Sequence, residues 1–327
     1  MSQGLAGHKT HINGHFENVF DAQDEADVDD PFAFGWDTQM TTSEARRELQ
    51  RIYQPGSKEA LDIIDLHFEG SATLQFTLAN PWVLRGILGS PSTSDNGDGS
   101  HTHTYTVSEP SSMRIYEGYT KGDAERILTG FVPGRISIDV NVQEEAQVTV
   151  EGGYVREFVN TNVSSLTPQQ DPQYDAMTFV EAGVDIGGTT EGYVQQMTLE
   201  AQANVDMVSE MGTAFFIDYI PKAFEPSVNF TRIKAADEVT KNIEDLYAGQ
   251  TSVSEEAENH AAVNAIFDNG QSAGSGINKM DFEAGGTLPE SYDESGAGDP
   301  TADLEETINR VAQSLQVVAT NGTSTAV

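Results

Sequence analysis

Residues that could hold a metal ion lie in two short segments. His8, His11 and His15 are close in sequence, and His101 is followed two residues later by His103. Imidazole is a common zinc ligand, but a zinc site needs a rigid scaffold and a hydrogen-bond partner for each ligand. Because the first segment is rich in glycine and polar residues, the sequence favours solvated histidines over a metal site.

Other patterns that suggest chemistry are incomplete. The segment 94–101 resembles a calcium loop but lacks a third oxygen ligand at alternate spacing and the closing Glu, so a solvated loop is favoured. The segment 185–190 lacks the Lys of a P-loop, and we interpret it as a strand end and a turn. Carboxylate pairs such as Glu144–Glu145 or Asp62 with Asp65 are expected in an acidic chain. The sequence therefore predicts no catalytic, cofactor-binding or metal-binding residue, no cofactor, and a protein that is not an enzyme.

The composition is strongly acidic. The 327 residues include 52 Asp and Glu against 17 Lys and Arg, a formal net charge of −35 at pH 7. Self-repulsion of this kind destabilises a compact chain in dilute buffer, whereas molar salt shortens the Debye length to about 3 Å. Because 37% of the residues are hydrophobic, the chain can bury a core. We interpret the chain as adapted to molar salt, and a basic nucleic-acid-binding surface is excluded.

Neither disulfides nor thiolate sites are available, because the chain has no cysteine. The N-terminal segment lacks the apolar run of a Sec signal peptide, and no stretch approaches the roughly 18 apolar residues of a membrane span. The sequence predicts a soluble protein that is made in the cytoplasm and has no membrane partner.

Alternation of apolar and polar residues predicts antiparallel strands in the middle of the chain. The segments 71–78, 135–150 and 197–206 show it, the second with a turn at 143–145. One face of each strand is apolar and the other is polar. Two of the polar faces consist of Arg135, Ser137, Asp139 and Asn141, and of Glu200, Gln202, Asn204 and Asp206.

Cap residues around apolar stripes predict short helices over 81–89 and 237–249. The arginine-containing segment 43–53 is expected to form a polar helix, and 90–103 is expected to be a long loop rich in Gly, Ser and Asp. We predict an N-terminal arm over residues 1–35, a β domain over 36–250, and a C-terminal extension over 251–327 that is partly β or helical. The arm, the long loop and the extension are better explained by contacts between subunits than by contacts within one subunit. This indicates a self-assembling structural protein.

The order of these elements resembles that of the tail tube proteins, or major tail proteins, of long-tailed viruses. The resemblance covers about residues 36–250 and implies a mainly β (α+β) fold, a β-sandwich or half-barrel with a flanking helix. It is carried by Trp36–Met40, Gly70–Leu78 with Asn80-Pro81-Trp82, Tyr116–Tyr119, Leu128–Ile138, Val148–Gly153, Val194–Phe216 and Ala223–Tyr247.

The resemblance implies a virion protein whose subunits close into stacked rings around a channel for viral DNA, with other tail proteins as partners. A six-subunit ring is expected, or a three-subunit ring if the chain holds two copies of the fold. One copy is favoured because 66–159 and 194–248 complement each other rather than repeat. The acidity indicates a virus of a halophilic archaeon.

Further expectations concern the surfaces. The two polar strand faces could line the channel, where Asp and Glu would repel DNA rather than bind it, although salt adaptation alone would give the same pattern. The loop 90–104, the arm and the extension are expected to contact neighbouring subunits. Two other classes stay open: another virion or appendage protein, such as a tail-tip ring or capsid decoration protein, and a halophilic enzyme or binding β-sandwich with a pocket.

Overall fold

The structure is a computed structural model that describes residues 10–21, 31–56, 58–119, 124–160, 174–234, 261–271, 274–296 and 303–324. Antiparallel strands make up most of these residues, so the prediction of a mainly β fold is confirmed. The strands are β1 (Thr10–Phe16), β2 (Phe32–Ala33), β3 (Trp36–Tyr53), β4 (Ala60–Thr77), β5 (Ser92–Asp95), β6 (His101–Thr106), β7 (Met113–Tyr119), β8 (Ala124–Asn141), β9 (Gln147–Tyr154), β10 (Arg156–Asn160), β11 (Ala182–Ile186), β12 (Thr189–Thr190), β13 (Val194–Ser209), β14 (Phe216–Ile233), β15 (Ala261–Asp268), β16 (Asn278–Ser295), β17 (Glu305–Val311) and β18 (Ser314–Asn321).

Helical structure in the described residues is short. A 3-10 turn over Trp82–Leu84 continues into α1 (Arg85–Leu88), and α1 ends at Gly89, whose φ is +90°. Every residue of this segment except Arg85 is buried, which confirms the helix predicted over 81–89. A second 3-10 turn spans Phe179–Glu181. The helix predicted over 237–249 lies outside the described residues.

The strands form three sheets around a single core. The long sheet has the strand order β3-β4-β9-β8-β13-β14-β17-β16. The first short sheet has the order β2-β1-β7-β8-β10, and the second short sheet has the order β12-β11-β15-β16-β18-β6-β5. Because β8 and β16 each belong to a short sheet and to the long sheet, they connect the layers covalently.

The chain contains two copies of one strand arrangement. Strands β1–β4 and β7–β10, within residues 10–160, correspond in order to β11–β18, within residues 182–321. Every pairing inside the first copy recurs inside the second: β1–β2 as β11–β12, β1–β7 as β11–β15, β3–β4 as β13–β14, β4–β9 as β14–β17, β7–β8 as β15–β16, β8–β9 as β16–β17, and β8–β10 as β16–β18. Among the described strands, only the hairpin β5–β6 lacks a counterpart.

The register repeats as well as the order. A bulge opposite β9 follows Pro133 in β8, and a bulge opposite β17 follows Pro289 in β16. Gly130 and Gly286 lie three residues before these prolines and have φ values of +63° and +62°. A left-handed glycine followed by a bulge bends a strand, and here it redirects both β8 and β16 from a short sheet into the long sheet. The two copies can therefore be aligned residue by residue.

The expectation of one copy was wrong. That expectation rested on a comparison of residues 66–159 with residues 194–248, which are not equivalent segments. Strand pairing shows that β3–β4 is equivalent to β13–β14 and that β8–β9 is equivalent to β16–β17. Little residue identity remains outside β3 and β13, where pairing aligns Gln39-Met40 with Gln196-Met197 and Glu44-Ala45 with Glu200-Ala201. Pairing geometry has been kept while most residue types differ, so the repeat is hidden in the sequence.

Two other predictions are corrected. The segment 43–53 is the distal part of β3, not a helix, and it pairs with β4 as far as Tyr53 opposite Ala60. Its arginines are spaced as on a helix, but Arg47 forms an ion pair with Asp65 of the neighbouring strand. The segment 90–103 is not a long loop, because it contains β5 and the first part of β6, which pair with each other.

The strands predicted from alternation are confirmed. The segment 71–78 lies largely in β4, 135–150 forms the hairpin β8–β9, and 197–206 lies in β13. The segment 185–190 is the end of β11, a turn and β12, as interpreted from the sequence.

The described residues at both ends of the chain are strands of the two copies. In the segment 1–35, Phe16, Phe32 and Phe34 are buried, and the centroid distances from the Phe32 ring to the other two are 5.1 and 5.2 Å. Beyond residue 250, β15–β18 complete the second copy. The division into arm, domain and extension stays a prediction, and its limits differ from the boundary between the copies, which lies between β10 and β11.

The copies differ in chemistry at one pair of equivalent core positions. Phe76 lies opposite Val148 in the first copy, and Arg232 lies opposite Glu306 at the equivalent place in the second. All four side chains are buried. Arg232 Nε donates to Glu306 Oε1 at 2.5 Å, and its Nη1 donates to Glu191. A buried ion pair contributes little net stability, but removal of one partner is costly because the other charge stays buried.

We expect Arg232→Met to lower the free energy of unfolding by about 3–5 kcal/mol, because Glu191 and Glu306 lose their main cationic partner. Urea denaturation in molar salt measures the change. Arg135→Met is the matched control: Arg135 pairs with Glu200 at 2.8 Å on an exposed surface, where an ion pair contributes less than about 1 kcal/mol. Equal losses in the two variants would contradict this interpretation.

Candidate functional site

One face of the long sheet is polar from strand to strand. Residues directly opposite each other in antiparallel strands share a face, and Ser137 lies opposite Glu200 while Asp139 lies opposite Thr198. The two polar faces predicted from the sequence are therefore adjacent. The same face continues outward on both sides through Thr149, Glu151, Thr73, Gln75, Ser227, Asn229, Thr231, Thr307 and Asn309.

Charged groups at the centre of this polar face are paired. Arg135 donates from Nε and Nη2 to the two carboxylate oxygens of Glu200 at 2.8 and 2.9 Å, and its Nη1 lies 3.7 Å from Glu151 Oε2. The hydrogen bonds from Arg135 to Glu200 raise the pKa of the guanidinium. Asp139 accepts hydrogen bonds from Thr198 Oγ1 at 2.6 Å and from Ser137 Oγ at 2.9 Å. The guanidinium is therefore engaged by carboxylates rather than presented to an external anion.

Asn204 and Asp206 lie farther along β13, where a bulge between Ala203 and Val205 shifts the register. Asn204 donates to the carbonyl oxygen of Ala223 at 3.1 Å, and Asp206 forms an ion pair with Lys222. The structure thus brings together most of the predicted polar residues but places Asp206 on the distal part of the β13–β14 hairpin.

The β3–β4 and β13–β14 hairpins are equivalent, and their distal parts, residues 47–66 and 205–221, carry exposed apolar side chains. The exposed fraction is 69% for Leu61, and Met211 is fully exposed. The others are Leu49, Ile52, Tyr53, Ile63, Ile64, Leu66, Ile217 and Ile220. Clustered apolar side chains on a surface mark interaction sites. The sequence interpretation missed this surface because it assigned 43–53 to a helix, although the alternation Leu61-Asp62-Ile63 could have indicated a strand.

The long sheet ends in two open edges. Within the described residues, β3 pairs only with β4, and the Leu288–Ser295 part of β16 pairs only with β17. The unpaired N–H and C=O groups of an edge strand are a template for pairing with another chain. The two edges consist of different residues, so each can be complementary to the other rather than to itself.

The predicted metal-site residues fall on strands. His11 and His15 lie in β1, His101 and His103 lie in β6, and His8 lies outside the described residues. No group of three His, Asp or Glu side chains in the described part of the chain is arranged to hold a metal ion. In the segment 94–101, the Asp98 carboxylate accepts hydrogen bonds from the backbone N–H and the hydroxyl of Ser100 at 2.9 and 2.6 Å, within a hairpin turn.

His103 is a core residue. Its Nδ1 lies 2.9 Å from Thr93 Oγ1, its Nε2 lies 3.1 Å from the carbonyl oxygen of Thr323, and its ring is edge-on to Trp82. Burial lowers the pKa of His103 below the ordinary value of 6.5. The neutral imidazole thus belongs to the hydrogen-bonded interior of the second short sheet.

A cavity of about 190 Å³ lies beside β13 and is lined by Val140, Val184, Met197 and Glu191 among others. The Glu191 carboxylate accepts from Arg232, so the charged group of this cavity is already engaged. None of the helices in the described part of the chain is long and apolar enough to cross a membrane.

Comparison with protein families matches residues 24–307 to the family described as "Phage tail tube protein". The matched range includes strands of both copies. Comparison with curated proteins gives no match.

The buried imidazole predicts a pH dependence of stability. Because the pKa of His103 is lower in the folded state, the unfolded chain takes up a proton first as the pH falls, so stability present above about pH 6.5 is lost below it. In His103→Gln, the decline of the free energy of unfolding between pH 7 and pH 5 should be shallower, by at most about 1.4 kcal/mol per pH unit. His101→Gln is the control at a half-exposed position, and an unchanged slope in His103→Gln would contradict the assignment.

Proposed function

We propose that this chain, which belongs to the phage tail tube protein family, is a structural subunit. The subunits would self-assemble into stacked rings. The rings would form the hollow tail tube of a virion, through which viral DNA is delivered. The observation that carries the proposal is the long sheet, which has one continuous polar face and an open edge on each side. The proposed partners are other copies of the chain and other tail proteins, in a virion whose proteins are made in the host cytoplasm.

The polar face of the long sheet is suited to line a channel for DNA. Phosphates bind proteins chiefly through basic side chains that displace counterions. At the centre of this face, Asp139, Glu151 and Glu200 surround Arg135, whose guanidinium is held by carboxylates. Such a surface would repel the DNA backbone and let the molecule slide without specific binding.

The distal hairpins are suited to connect one ring with the next. Both distal hairpins expose apolar side chains, although part of the β13–β14 hairpin packs on the first copy, with the Phe215 and Phe216 rings against Phe68 and His67. In molar salt, screening weakens surface ion pairs, so apolar and backbone contacts would dominate ring-to-ring adhesion. We assign these hairpins to stacking, together with the predicted contacts of the arm, the β5–β6 hairpin and the extension.

We further propose that the protein functions in molar salt and that the virus infects a halophilic archaeon. The net charge of −35 supports this, because the same charge would oppose both folding and association in dilute buffer. The two copies per chain favour the three-subunit ring over the six-subunit ring, since three chains would present six equivalent units.

Negative-stain electron microscopy in about 2–3 M salt, where screening is nearly complete, tests assembly. We expect stacked rings or hollow tubes that dissociate on dilution into low salt. Isolated monomers under every condition would overturn the proposal.

The stacking role is tested by replacing Leu61 and Ile63 with Thr. Both side chains are exposed, with fractions of 69% and 55%, so folding should be little affected while tubes become shorter or stop at single rings. Val159→Thr is the matched control, because Val159 is 71% exposed and lies on β10, outside the two distal hairpins. Tube length by electron microscopy and the midpoint of thermal unfolding are the two readouts, and normal tubes would contradict the assignment.

Deletion of residues 90–104, which are predicted to contact neighbouring subunits, is not a suitable test of stacking. It would remove β5 and most of β6, including buried His103. A loss of tubes in that variant would reflect damage to the second short sheet.

A further inference from the structure

Arg85, the first residue of α1, differs from every other arginine that is not exposed in the described part of the chain. The others each have a carboxylate or a hydroxyl in contact with the guanidinium: Arg114, Arg126, Arg156, Arg232 and Arg310. Arg85 forms no ion pair with the described residues, and its Nε is buried without a hydrogen-bond partner. In a chain with 52 Asp and Glu, a half-buried arginine without a carboxylate requires a physical reason.

The hydroxyl of Tyr105 in β6 also lacks a partner. Tyr105 is completely buried, and no group in the described residues forms a hydrogen bond with its hydroxyl. Burial raises the pKa of Tyr105, so the hydroxyl keeps its proton and remains a donor. The positive charge of Arg85 acts on this phenol, although no hydrogen bond joins the two groups. Two donors therefore lie near each other at α1 and β6 without an acceptor.

The surroundings hold the guanidinium of Arg85 in place. Its Cζ lies 4.6 Å from the centre of the Phe16 ring, and Phe16 stacks on Phe32 with a centroid distance of 5.1 Å. The carbonyl oxygen of Arg85 accepts from the N–H of Gly89 at 3.0 Å and from the N–H of Ser111 at 3.3 Å. A ring over the face of a guanidinium leaves the N–H groups at its edge free to donate. The site is thus a fixed cation with edge donors beside a buried hydroxyl.

The carboxylate that follows Phe16 in the chain is engaged elsewhere. Glu17 Oε1 lies 3.6 Å from Arg114 Nε and accepts from the N–H of Gly130 at 3.0 Å. Burial lowers the pKa of Arg85, and no described carboxylate offsets this effect. The acceptor that both donors lack is therefore not a side chain of the described residues.

We propose that a chloride ion binds between Arg85 and Tyr105 and accepts hydrogen bonds from Arg85 Nε and from the Tyr105 hydroxyl. A monatomic anion suits two donors, whereas a sulfate or phosphate would leave most of its oxygens without partners. In about 2–3 M salt, screening removes most of the repulsion between an anion and a chain of net charge −35. Tight binding is not required, because a dissociation constant of about 0.1 M would keep the site about 95% occupied.

The ion would connect elements that serve different copies. α1 packs against β8 of the first copy, whereas β6 pairs with β18 of the second copy, with Tyr105 opposite Val317. A chloride held by both elements would fix the β5–β6 hairpin to the first copy at the point where this hairpin reaches the second. High salt would then stabilise the fold through one specific ion as well as through screening.

Anomalous X-ray scattering from bromide, which replaces chloride as a heavier halide, tests the site directly. Crystals of the full chain in about 2 M sodium bromide, where screening is nearly complete, should show an anomalous peak within hydrogen-bond distance of Arg85 Nε and the Tyr105 hydroxyl. A water molecule at this position, or a carboxylate of a neighbouring chain, would overturn the proposal.

Tyr105→Phe removes one donor and keeps the ring. Its chloride affinity should be about tenfold weaker, because a hydrogen bond to a charged group is lost, and its midpoint of thermal unfolding in sodium chloride should fall below that of the original chain. In sodium gluconate of equal ionic strength, the same change removes only a buried hydroxyl without a partner, so the midpoint should be equal or higher. A midpoint lowered by the same amount in both salts would contradict the bound ion.

Arg85→Gln should reduce the difference in unfolding midpoint between the two salts. Arg46→Gln is the matched control, because it removes the same charge at an exposed position of β3 and should keep the full difference. An unreduced difference in Arg85→Gln would contradict the site. Failure of the chloride site would leave the proposed tube unaffected, whereas an absence of tubes in electron micrographs would overturn the proposed function and not the site.

Discussion

The structure depends on the division of the long sheet into a dry face and a wet face. Each strand in its centre carries apolar residues on one side only, so a slip of one residue would expose the core set and bury the polar set. Burial therefore fixes the register of the strands. The bulges after Pro133 and Pro289 lie where β8 and β16 pass from a short sheet into the long sheet. The continuous polar face of the long sheet follows from this division.

Sequence patterns predicted the parts of the fold in which that division is visible. Alternation identified the central strands of the long sheet, and Pro81 with Gly89 identified the short helix. The distal part of β3 was missed because residues 43–53 are exposed on both faces, so burial imposes no alternation on them. Hairpin β5–β6 was missed because its residues are those of a loop, and its pairing with β18 is a contact between distant parts of the chain.

The repeat was missed for a different reason. Backbone pairing requires compatible side chains but not identical ones, and equivalent core pairs have diverged as far as Phe76–Val148 and Arg232–Glu306. A comparison of residue types therefore does not detect that these positions are equivalent. The left-handed glycines Gly130 and Gly286, each followed by a proline three residues later, were the strongest signal available, because that backbone conformation restricts residue choice.

Covalent fusion of the two copies has a kinetic consequence. The β8–β13 junction forms within one molecule, so its partners meet at an effective concentration set by the connecting chain rather than by the amount of protein in solution. If assembly uses the free edges as well, half of the junctions in a closed ring need no encounter between molecules. Because both copies are encoded in one chain, each copy can also change without the other. An addition such as β5–β6 then occurs on only one of the two copies of each chain.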